Sequence, residues 1–439
     1  MKEIEFTTES SLIPAEELDL FQPLIQEEIF RMQAALKNQY RDERASLQLP
    51  GDTELLQHVK SLINEQRRTP PAYLVVVGIG GSNLGTVAIQ EAVLGRMYNQ
   101  TEPETKILYA DTVDSDSLHT IISLMTPVLQ NGGNVLIDAV SKSGGTTETI
   151  ANFEILLDTL KKYRKDYQDA IIVTTDKNSK FWMLAKTQGF SLLEIPPKVG
   201  GRFSVFSPVG LLPLGILGIN IDSLLAGAQV MMKRCLSPTL ENNPAALSAS
   251  LIRAHQMHGK HIHDLFLFDP DLESLGKWYR QLMGESIGKE YDRHGVRVHN
   301  GITPTVSIGS TDLHSMAQLY LGGPYDKFTT FVRVAHPSSS VMVPSLAEYE
   351  SLVRGIQGRS LHEIMLAILG GVQNAFRKDA RPFFEVTLPD KTPGSIGQFL
   401  QFKMMEMMFL GTLCGVNPFD QPNVEAYKQE TRLILEKTT

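Results

Sequence analysis

Short apolar runs alternate with amphipathic stretches throughout the first half of the chain. Each run is rich in β-branched residues and leads into a segment whose apolar residues recur at helical spacing. The runs are AYLVVVG (72–78), TKILYADTV (105–113), NVLIDAV (134–140), DAIIVTTD (169–176) and FSLLEIP (190–196). Strands that alternate with helices are typical of a parallel, doubly wound sheet. The pattern therefore predicts an α/β unit.

A second series of similar runs follows, again separated by helical segments. Its members are HIHDLFLFDP (261–270), TPTVSIGSTDLHS (303–315), KFTTFVRVAH (327–336) and PFFEVTLP (382–389). Two tandem α/β units, each built on a doubly wound parallel sheet, are the simplest account of the two series. Pro and Gly residues near 218–223 mark the turn between them.

Helical patterns flank the two units. Glu, Gln, Leu and Arg at helical spacing dominate residues 15–68, and the apolar segment 395–416 also has a helical pattern. We therefore divide the chain into a helical N-terminal extension (1–68), a first α/β domain (69–220), a second α/β domain (221–390) and a C-terminal helical segment (391–439).

The composition is that of a globular protein with more than one domain. The 439-residue chain has a formal net charge of −8 and no block of like charge, so neither nucleic acid nor a membrane is an expected partner. Two cysteines far apart in sequence, Cys235 and Cys414, indicate neither a zinc motif nor a disulfide framework. The N-terminus lacks the apolar core of a secretory signal. Residues 205–221 are too short and too interrupted for a membrane span, so we expect a buried helix there and a cytoplasmic protein.

The turn SKSGGTTET (141–149) lies between an apolar run and an amphipathic stretch. Ligands of parallel sheets bind where a strand passes into a helix, because the first N–H groups of that helix are unpaired. Ser141, Ser143 and Thr146 offer hydroxyls, Lys142 offers a charge, and the two glycines let the backbone approach an anion. The turn therefore indicates a phosphate site. A cluster of N-capping residues, in which Thr146 and Thr149 satisfy only local backbone, is the alternative.

A second glycine-containing turn, GIGGSNLG (78–85), follows the first run of the series. It is not a dinucleotide fingerprint, because Asn83 stands where the third glycine of that motif would be. We interpret it as a second loop against a sugar, with Gly80 and Ser82 available to the ligand. The alternative is that its glycines only permit close packing of helix on strand.

Four ionisable residues are candidates for acid–base chemistry. Arg202 follows two glycines in GGRFSVFS, and Glu285 lies in RQLMGESIGKE, which we expect to form a glycine-containing turn. His314 follows a predicted strand, and Lys428 lies toward the C-terminus of a short predicted helix. A fixed cation near developing negative charge and a carboxylate base are what enolate chemistry requires. Taken singly, each of these residue types more often has a structural or surface role.

Taken together and in this order, these segments strongly resemble the phosphoglucose isomerase family. The two most specific stretches are GGRFSVFSPVG (200–210) and GVNPFDQPNVEAYK (415–428), and the resemblance covers most of the chain. It implies a pair of sugar-isomerase (SIS) domains, no metal or organic cofactor, and a cytoplasmic homodimer or larger homo-oligomer. It also implies a sugar phosphate as substrate, interconverted between glucose 6-phosphate and fructose 6-phosphate in glycolysis and gluconeogenesis.

The resemblance also implies roles for individual residues. Glu285 matches the base that moves a proton between C1 and C2, and Arg202 matches the arginine that stabilises the cis-enediolate. His314 and Lys428 match the ring-opening residues, the histidine being supplied by the neighbouring subunit. The remaining positions match substrate-binding residues: Gln281, Gln421, Gly80, Ser82, Ser141, Lys142, Ser143 and Thr146.

Three other functions share this fold. The first is a non-catalytic sugar-phosphate sensor, which the presence of all four candidate acid–base residues disfavours. The second is an isomerase that also accepts mannose 6-phosphate; the two glutamines favour the glucose type. The third is an amino-sugar phosphate synthase, but Lys2 stands where that class carries a nucleophilic cysteine after the initiator Met. Fold analogy alone does not decide among them.

Overall fold

The computed structural model describes residues 2–437. The strands are β1 (Glu5–Thr7), β2 (Tyr73–Val77), β3 (Lys106–Ala110), β4 (Val135–Ser141), β5 (Ile171–Thr175), β6 (Ser191–Glu194), β7 (Ile262–Leu267), β8 (Lys289–Tyr291), β9 (Arg297–Asn300), β10 (Thr303–Ile308), β11 (Lys327–Val334) and β12 (Phe383–Leu388). The helices are α1 (Ala15–Asp19), α2 (Gln22–Ala35), α3 (Thr53–Gln66), α4 (Leu84–Leu94), α5 (Ser115–Gln130), α6 (Thr147–Tyr163), α7 (Lys180–Gln188), α8 (Pro208–Ile216), α9 (Ile221–Cys235), α10 (Pro244–Met257), α11 (Glu273–Ile287), α12 (Ala317–Gly322), α13 (Leu361–Lys378), α14 (Pro393–Leu413) and α15 (Val424–Lys437).

The first sheet contains five parallel strands in the order β3-β2-β4-β5-β6. All seven residues of its central strand, β4, are buried. A continuous apolar run is what a parallel strand covered by helices on both faces requires. Each of the five runs predicted for this unit forms one of these strands.

The second sheet has the order β1-β12-β11-β7-β10, and its four C-terminal strands are parallel. The α/β fold with two parallel sheets predicted from the sequence is confirmed. The outer strand β1 differs, because it pairs antiparallel with β12, Glu5 opposite Thr387. Residues 5–7 were assigned to a helical extension, and three residues are too few to show a strand pattern. The division into four segments and the three boundaries between them stay predictions.

Helix α14 is buried along almost its whole length, with residues 394–413 all inaccessible. It contacts α4 of the first unit and α9, α10, α11 and β12. Close approach to α9 depends on glycine, because a Cβ atom on Gly397 would lie 2.0 Å from the carbonyl oxygen of Leu224. This helix therefore joins the elements that carry the candidate site.

The apolar segment 205–221 forms the buried helix α8 and the turn after it, as predicted. Among residues 2–437, no helix is both long enough and apolar enough to span a membrane. Cys235 and Cys414 are both unpaired.

Candidate active site

The turn between β4 and α6 gathers three hydroxyl groups. Ser141 Oγ lies 3.1 Å from Thr146 Oγ1, which is 3.5 Å from Ser143 Oγ. Thr146 occupies the N-cap position of α6 but makes no side-chain capping bond, and Thr149 Oγ1 is buried without a hydrogen-bond partner among residues 2–437. The capping alternative is therefore wrong for both threonines. The turn retains hydroxyls and helix N–H groups that can bind an anion.

Gly144 fixes the shape of this turn. Its φ of +66° lies in the left-handed region, and a Cβ atom there would lie 2.6 Å from the Cβ of Ser179. Only glycine tolerates both the conformation and the contact. The turn is thus packed directly against the start of α7.

Lys142 links the turn to the segment that precedes Arg202. Its Nζ donates a hydrogen bond to the carbonyl oxygen of Val199 at 2.5 Å. Burial lowers the pKa of Lys142, opposed by the carboxylate of Asp176, while the positive charge of Arg202 lowers it further. The side chain therefore points inward, toward a second cation.

Arg202 is the centre of the candidate site, and only 1% of it is exposed. Its Nε donates to Ser286 Oγ at 2.8 Å, and its Nη1 donates to Glu285 Oε2 at 3.2 Å. Nη1 also donates to Gln421 Oε1 at 2.5 Å. Burial lowers the pKa of Arg202, while the Glu285 carboxylate opposes this shift. The guanidinium is therefore held in one orientation beside a carboxylate.

Glu285 lies in the last turn of α11, not in the glycine-containing turn expected from the sequence. The glycine after it, Gly288, is the C-cap of this helix. Gln281 precedes Glu285 by one helical turn and donates from Nε2 to Glu285 Oε1 at 3.1 Å. Positions i and i+4 share one helix face, so α11 presents both side chains together.

The turn 78–85 approaches this face of α11 through its glycines. Gly80 has a φ of +60°, and a Cβ atom there would lie 3.1 Å from Gln281 Nε2. A Cβ atom on Gly81 would lie 2.3 Å from the carbonyl carbon of Gly201, so the turn also abuts the segment of Arg202. Ser82 is half-buried in this turn. These two glycines thus permit close packing of the turn against α11 and the segment of Arg202, and not of helix on strand as the structural alternative supposed, and they bring the turn beside Gln281.

Lys289 is a neighbour of the site that the sequence analysis did not select. Its Nζ donates to the carbonyl oxygen of Glu285 at 2.8 Å and to the carbonyl oxygen of Asp420, and lies 3.0 Å from Asp420 Oδ1. The signal was present, since Lys289 lies in the same GESIGKE motif as Glu285, four residues later at the start of β8.

Among residues 2–437, His314 and Lys428 take no part in the hydrogen-bond network of Arg202 and Glu285. His314 is exposed after a short 3-10 turn, and neither side chain bonds to Arg202 or Glu285 within residues 2–437. Lys428 pairs with Glu425 at 2.8 Å. It lies in the N-terminal half of the fourteen-residue helix α15, and not near the C-terminus of a short helix as expected.

The arrangement combines two chemical capabilities, one in the turn after β4 and one at the C-terminal end of α11. The hydroxyl-lined turn after β4 can hold a phosphate group. The Glu285 carboxylate can accept a proton while the Arg202 guanidinium stabilises neighbouring negative charge. A carboxylate, a cation and two glutamines, together with a turn that can hold a phosphate, are the groups that isomerases of phosphorylated sugars require.

Comparison with known proteins identifies the family. The sequence profile of the family described as phosphoglucose isomerase matches residues 68–439. The chain is 36% identical over 369 residues to a glucose-6-phosphate isomerase of Carboxydothermus hydrogenoformans, with 83% of this chain and 78% of that protein covered. A glucose-6-phosphate isomerase of Rubrobacter xylanophilus is 32% identical and is matched over 91% of each chain. The chain therefore belongs to the phosphoglucose isomerase family.

Solved structures agree with this fold. A hypothetical protein from Thermus thermophilus superposes with a TM-score of 0.87 at 32% identity, covering 98% of this chain and 99% of that chain. A glucose-6-phosphate isomerase from Chlamydia trachomatis superposes with a TM-score of 0.83 over 100% of this chain and 89% of that one. At 21% identity the second match shows the fold alone.

Proposed function

We propose that this protein interconverts glucose 6-phosphate and fructose 6-phosphate through a cis-enediolate, in glycolysis and gluconeogenesis in the cytoplasm. The observation that carries the proposal is the contact of 3.2 Å between Arg202 Nη1 and Glu285 Oε2, with a glutamine beside each partner. Aldose–ketose isomerisation needs one carboxylate that reaches two adjacent carbons and one cation for the oxyanion.

In the proposed mechanism, Glu285 removes the proton from C2 of open-chain glucose 6-phosphate and returns it to C1. The negative charge that develops on the substrate oxygen between these steps is stabilised by Arg202, which is already fixed by Ser286 and Gln421. Gln281 and Gln421 orient the hydroxyl groups of the substrate. No metal or organic cofactor takes part in these steps.

The phosphate group is proposed to bind the turn formed by Ser141, Lys142, Ser143 and Thr146. Gly80 and Ser82 of the second loop are proposed to contact the sugar. Binding energy gained at this remote group holds the reacting carbons against Glu285. The link from Lys142 to the Val199 carbonyl supports a continuous site, because it joins the turn to the segment of Arg202.

Ring opening is assigned to His314 and Lys428. His314 is exposed and makes no hydrogen bond to Glu285 within residues 2–437, which supports a homodimer or larger homo-oligomer in which the neighbouring subunit supplies this histidine. Lys428 lies seven residues after Gln421 in the same C-terminal motif, and a change in its Glu425 pairing would free its amine for substrate.

The test is turnover of fructose 6-phosphate to glucose 6-phosphate by the purified protein, with and without a chelator, and the Glu285→Gln variant. We expect activity in both solutions, and a loss of about two to four orders of magnitude in kcat for Glu285→Gln, because the variant keeps shape but lacks a base. In heavy water, the wild type should introduce deuterium at C2 and the variant should not.

The matched control is Glu273→Gln in the first turn of the same helix, where the carboxylate pairs with Lys277. It should leave kcat unchanged. Full turnover and deuterium exchange by Glu285→Gln would show that Glu285 is not the base. Substrate binding by the wild type without turnover would instead favour the non-catalytic sugar-phosphate sensor. Parallel turnover of mannose 6-phosphate would identify the broader isomerase.

A further inference from the structure

Lys289 is a nearly buried cation whose three contacts all end at the candidate site. Only 6% of the residue is exposed. Its Nζ donates to the carbonyl oxygens of Glu285 and Asp420 and forms an ion pair of 3.0 Å with the Asp420 carboxylate. One ammonium group thereby joins the C-terminal end of α11, which carries Glu285, to the segment 417–421, which carries Gln421.

Arg202 also holds the segment 417–421. The Nη2 atom of Arg202 donates to the carbonyl oxygens of Pro418 and Asp420, and its Nη1 donates to Gln421 Oε1. The Asp420 carbonyl oxygen therefore accepts from both Arg202 and Lys289. Two cations from different elements thus fix the backbone of one short segment.

Lys289 supplies the cation that faces the Asp420 carboxylate in this cluster. Two cations, Arg202 and Lys289, alternate with two carboxylates, Glu285 and Asp420. Burial lowers the pKa of Lys289, and the nearby Arg202 lowers it further, while Asp420 and Glu285 oppose these shifts. Removing one buried member of such a set leaves its partners uncompensated.

We propose that Lys289 is a positioning residue for the isomerase reaction. It fixes the segment 417–421 against α11, so that Gln421 and Arg202 keep the orientation that the Glu285 chemistry requires. The inference rests on the proposed function for its kinetic consequence, although the fixing of the segment itself is independent of any activity. Small displacements of catalytic groups reduce turnover steeply, by about a hundredfold for 1 Å.

The experiment compares Lys289→Met with Lys327→Met in the full-length protein. Lys327 is a matched control, because it is also 6% exposed and bonds a backbone carbonyl, of Pro324, and a carboxylate, of Asp326, far from the site in β11. Both variants remove a buried ammonium group and should lower the unfolding temperature. Only Lys289→Met should lower kcat, by about tenfold or more, with little change in KM because the phosphate turn is untouched.

Hydrogen–deuterium exchange gives a readout that does not depend on turnover. Amide exchange in a peptide spanning residues 417–421 should rise in Lys289→Met and stay at the wild-type level in Lys327→Met. If Lys289→Met does not fold, Asp420→Ala on the half-exposed partner removes the ion pair and should raise exchange in the same peptide and lower kcat.

Equal losses of kcat in the two lysine variants, or unchanged exchange at 417–421 in Lys289→Met and Asp420→Ala, would overturn the positioning role. If the wild type shows no isomerase activity but Lys289→Met still raises amide exchange at 417–421, Lys289 fixes the segment and the proposed function is wrong. The two failures are therefore distinguishable.

Discussion

Thr146 occupies the N-cap position of α6, yet its hydroxyl faces Ser141 at 3.1 Å and makes no capping bond. Its contribution to helix stability is therefore small, whereas in the proposed function its hydroxyl donates a hydrogen bond directly to the phosphate. These two roles separate in a single variant, because one affects unfolding and the other affects substrate binding.

Thr146→Ala should raise KM for fructose 6-phosphate about tenfold, the usual worth of a hydrogen bond to a charged group, with little change in unfolding temperature. The control is Ser360→Ala in the capping box of α13, where the serine hydroxyl does accept from the Glu363 N–H. That variant should lose about 1 kcal/mol of stability and keep its KM. An unchanged KM for Thr146→Ala would place the phosphate elsewhere.

Sequence motifs selected Arg202 and Glu285 as candidates, but they did not give the geometry of the two side chains. Arg202 and Glu285 are separated by 83 positions, and only the family resemblance linked them before the structure placed them 3.2 Å apart. Lys289 was missed because an isolated lysine in a sequence is ordinarily a solvated surface residue. Its burial arises from the docking of segment 417–421, a contact that spans 131 positions and leaves no local pattern.

At the scale of elements, a buried polar network fixes α11 against its neighbours. In α14, Lys403 Nζ donates to Glu406 Oε2 at 2.6 Å, and neither side chain has any exposed surface. Tyr279 of α11 donates to Glu406 Oε1 at 2.7 Å and Ser248 of α10 donates to Glu406 Oε2 at 2.5 Å. Burial lowers the pKa of Lys403, opposed by Glu406. The carboxylate therefore joins three helices, one of which carries Glu285.

Lys403→Met should destabilise the protein by about 3–5 kcal/mol, because it leaves the buried Glu406 carboxylate without its cation. In a Glu406→Gln background, Lys403→Met should lower the free energy of unfolding much less, because no uncompensated carboxylate remains. Urea unfolding of the four proteins measures the difference. Lys162→Met, which breaks an exposed pair with Asp158, is the control and should change stability little. Additive effects of the two buried substitutions would contradict the coupling.

Strands with an extended apolar pattern could be predicted from the sequence, and short polar strands could not. The nine apolar runs all became strands of the two sheets, and central strands such as β4 and β5 are buried along their whole length. Strand β1 and the hairpin of β8 and β9 were missed, since EFT, KEY and RVHN are short and largely polar. Their strand conformation comes from pairing, with β12 in the first case and with each other in the second.

At the scale of the whole molecule, two segments expose apolar side chains that the single chain does not cover. Helix α15, described to Lys437, has no buried side chain, and Tyr427, Leu433 and Leu435 are about half exposed. The connection between β11 and α13 exposes Leu352 and Val353 to 73% and 54%. Soluble proteins rarely expose contiguous apolar surface without an interaction that covers it. These segments support the proposed homo-oligomer.

Subunit mixing tests the proposal that His314 completes the site of a neighbouring subunit. Glu285→Gln and His314→Ala proteins, each impaired alone, are combined under conditions of demonstrated subunit exchange. In a hybrid dimer, the subunit that retains Glu285 receives His314 from its partner, so one of its two sites is intact. Random mixing in equal amounts should then restore about a quarter of the wild-type sites, measured as recovered turnover.

The control mixture contains His314→Ala and the double variant Glu285→Gln/His314→Ala, in which no subunit can donate the histidine. It should recover nothing under the same exchange conditions. If His314 instead acts within its own chain, each hybrid site contains one damaged residue and the first mixture also stays inactive. Recovery in the first mixture alone therefore requires a site built from two chains, because no arrangement within one subunit restores both residues.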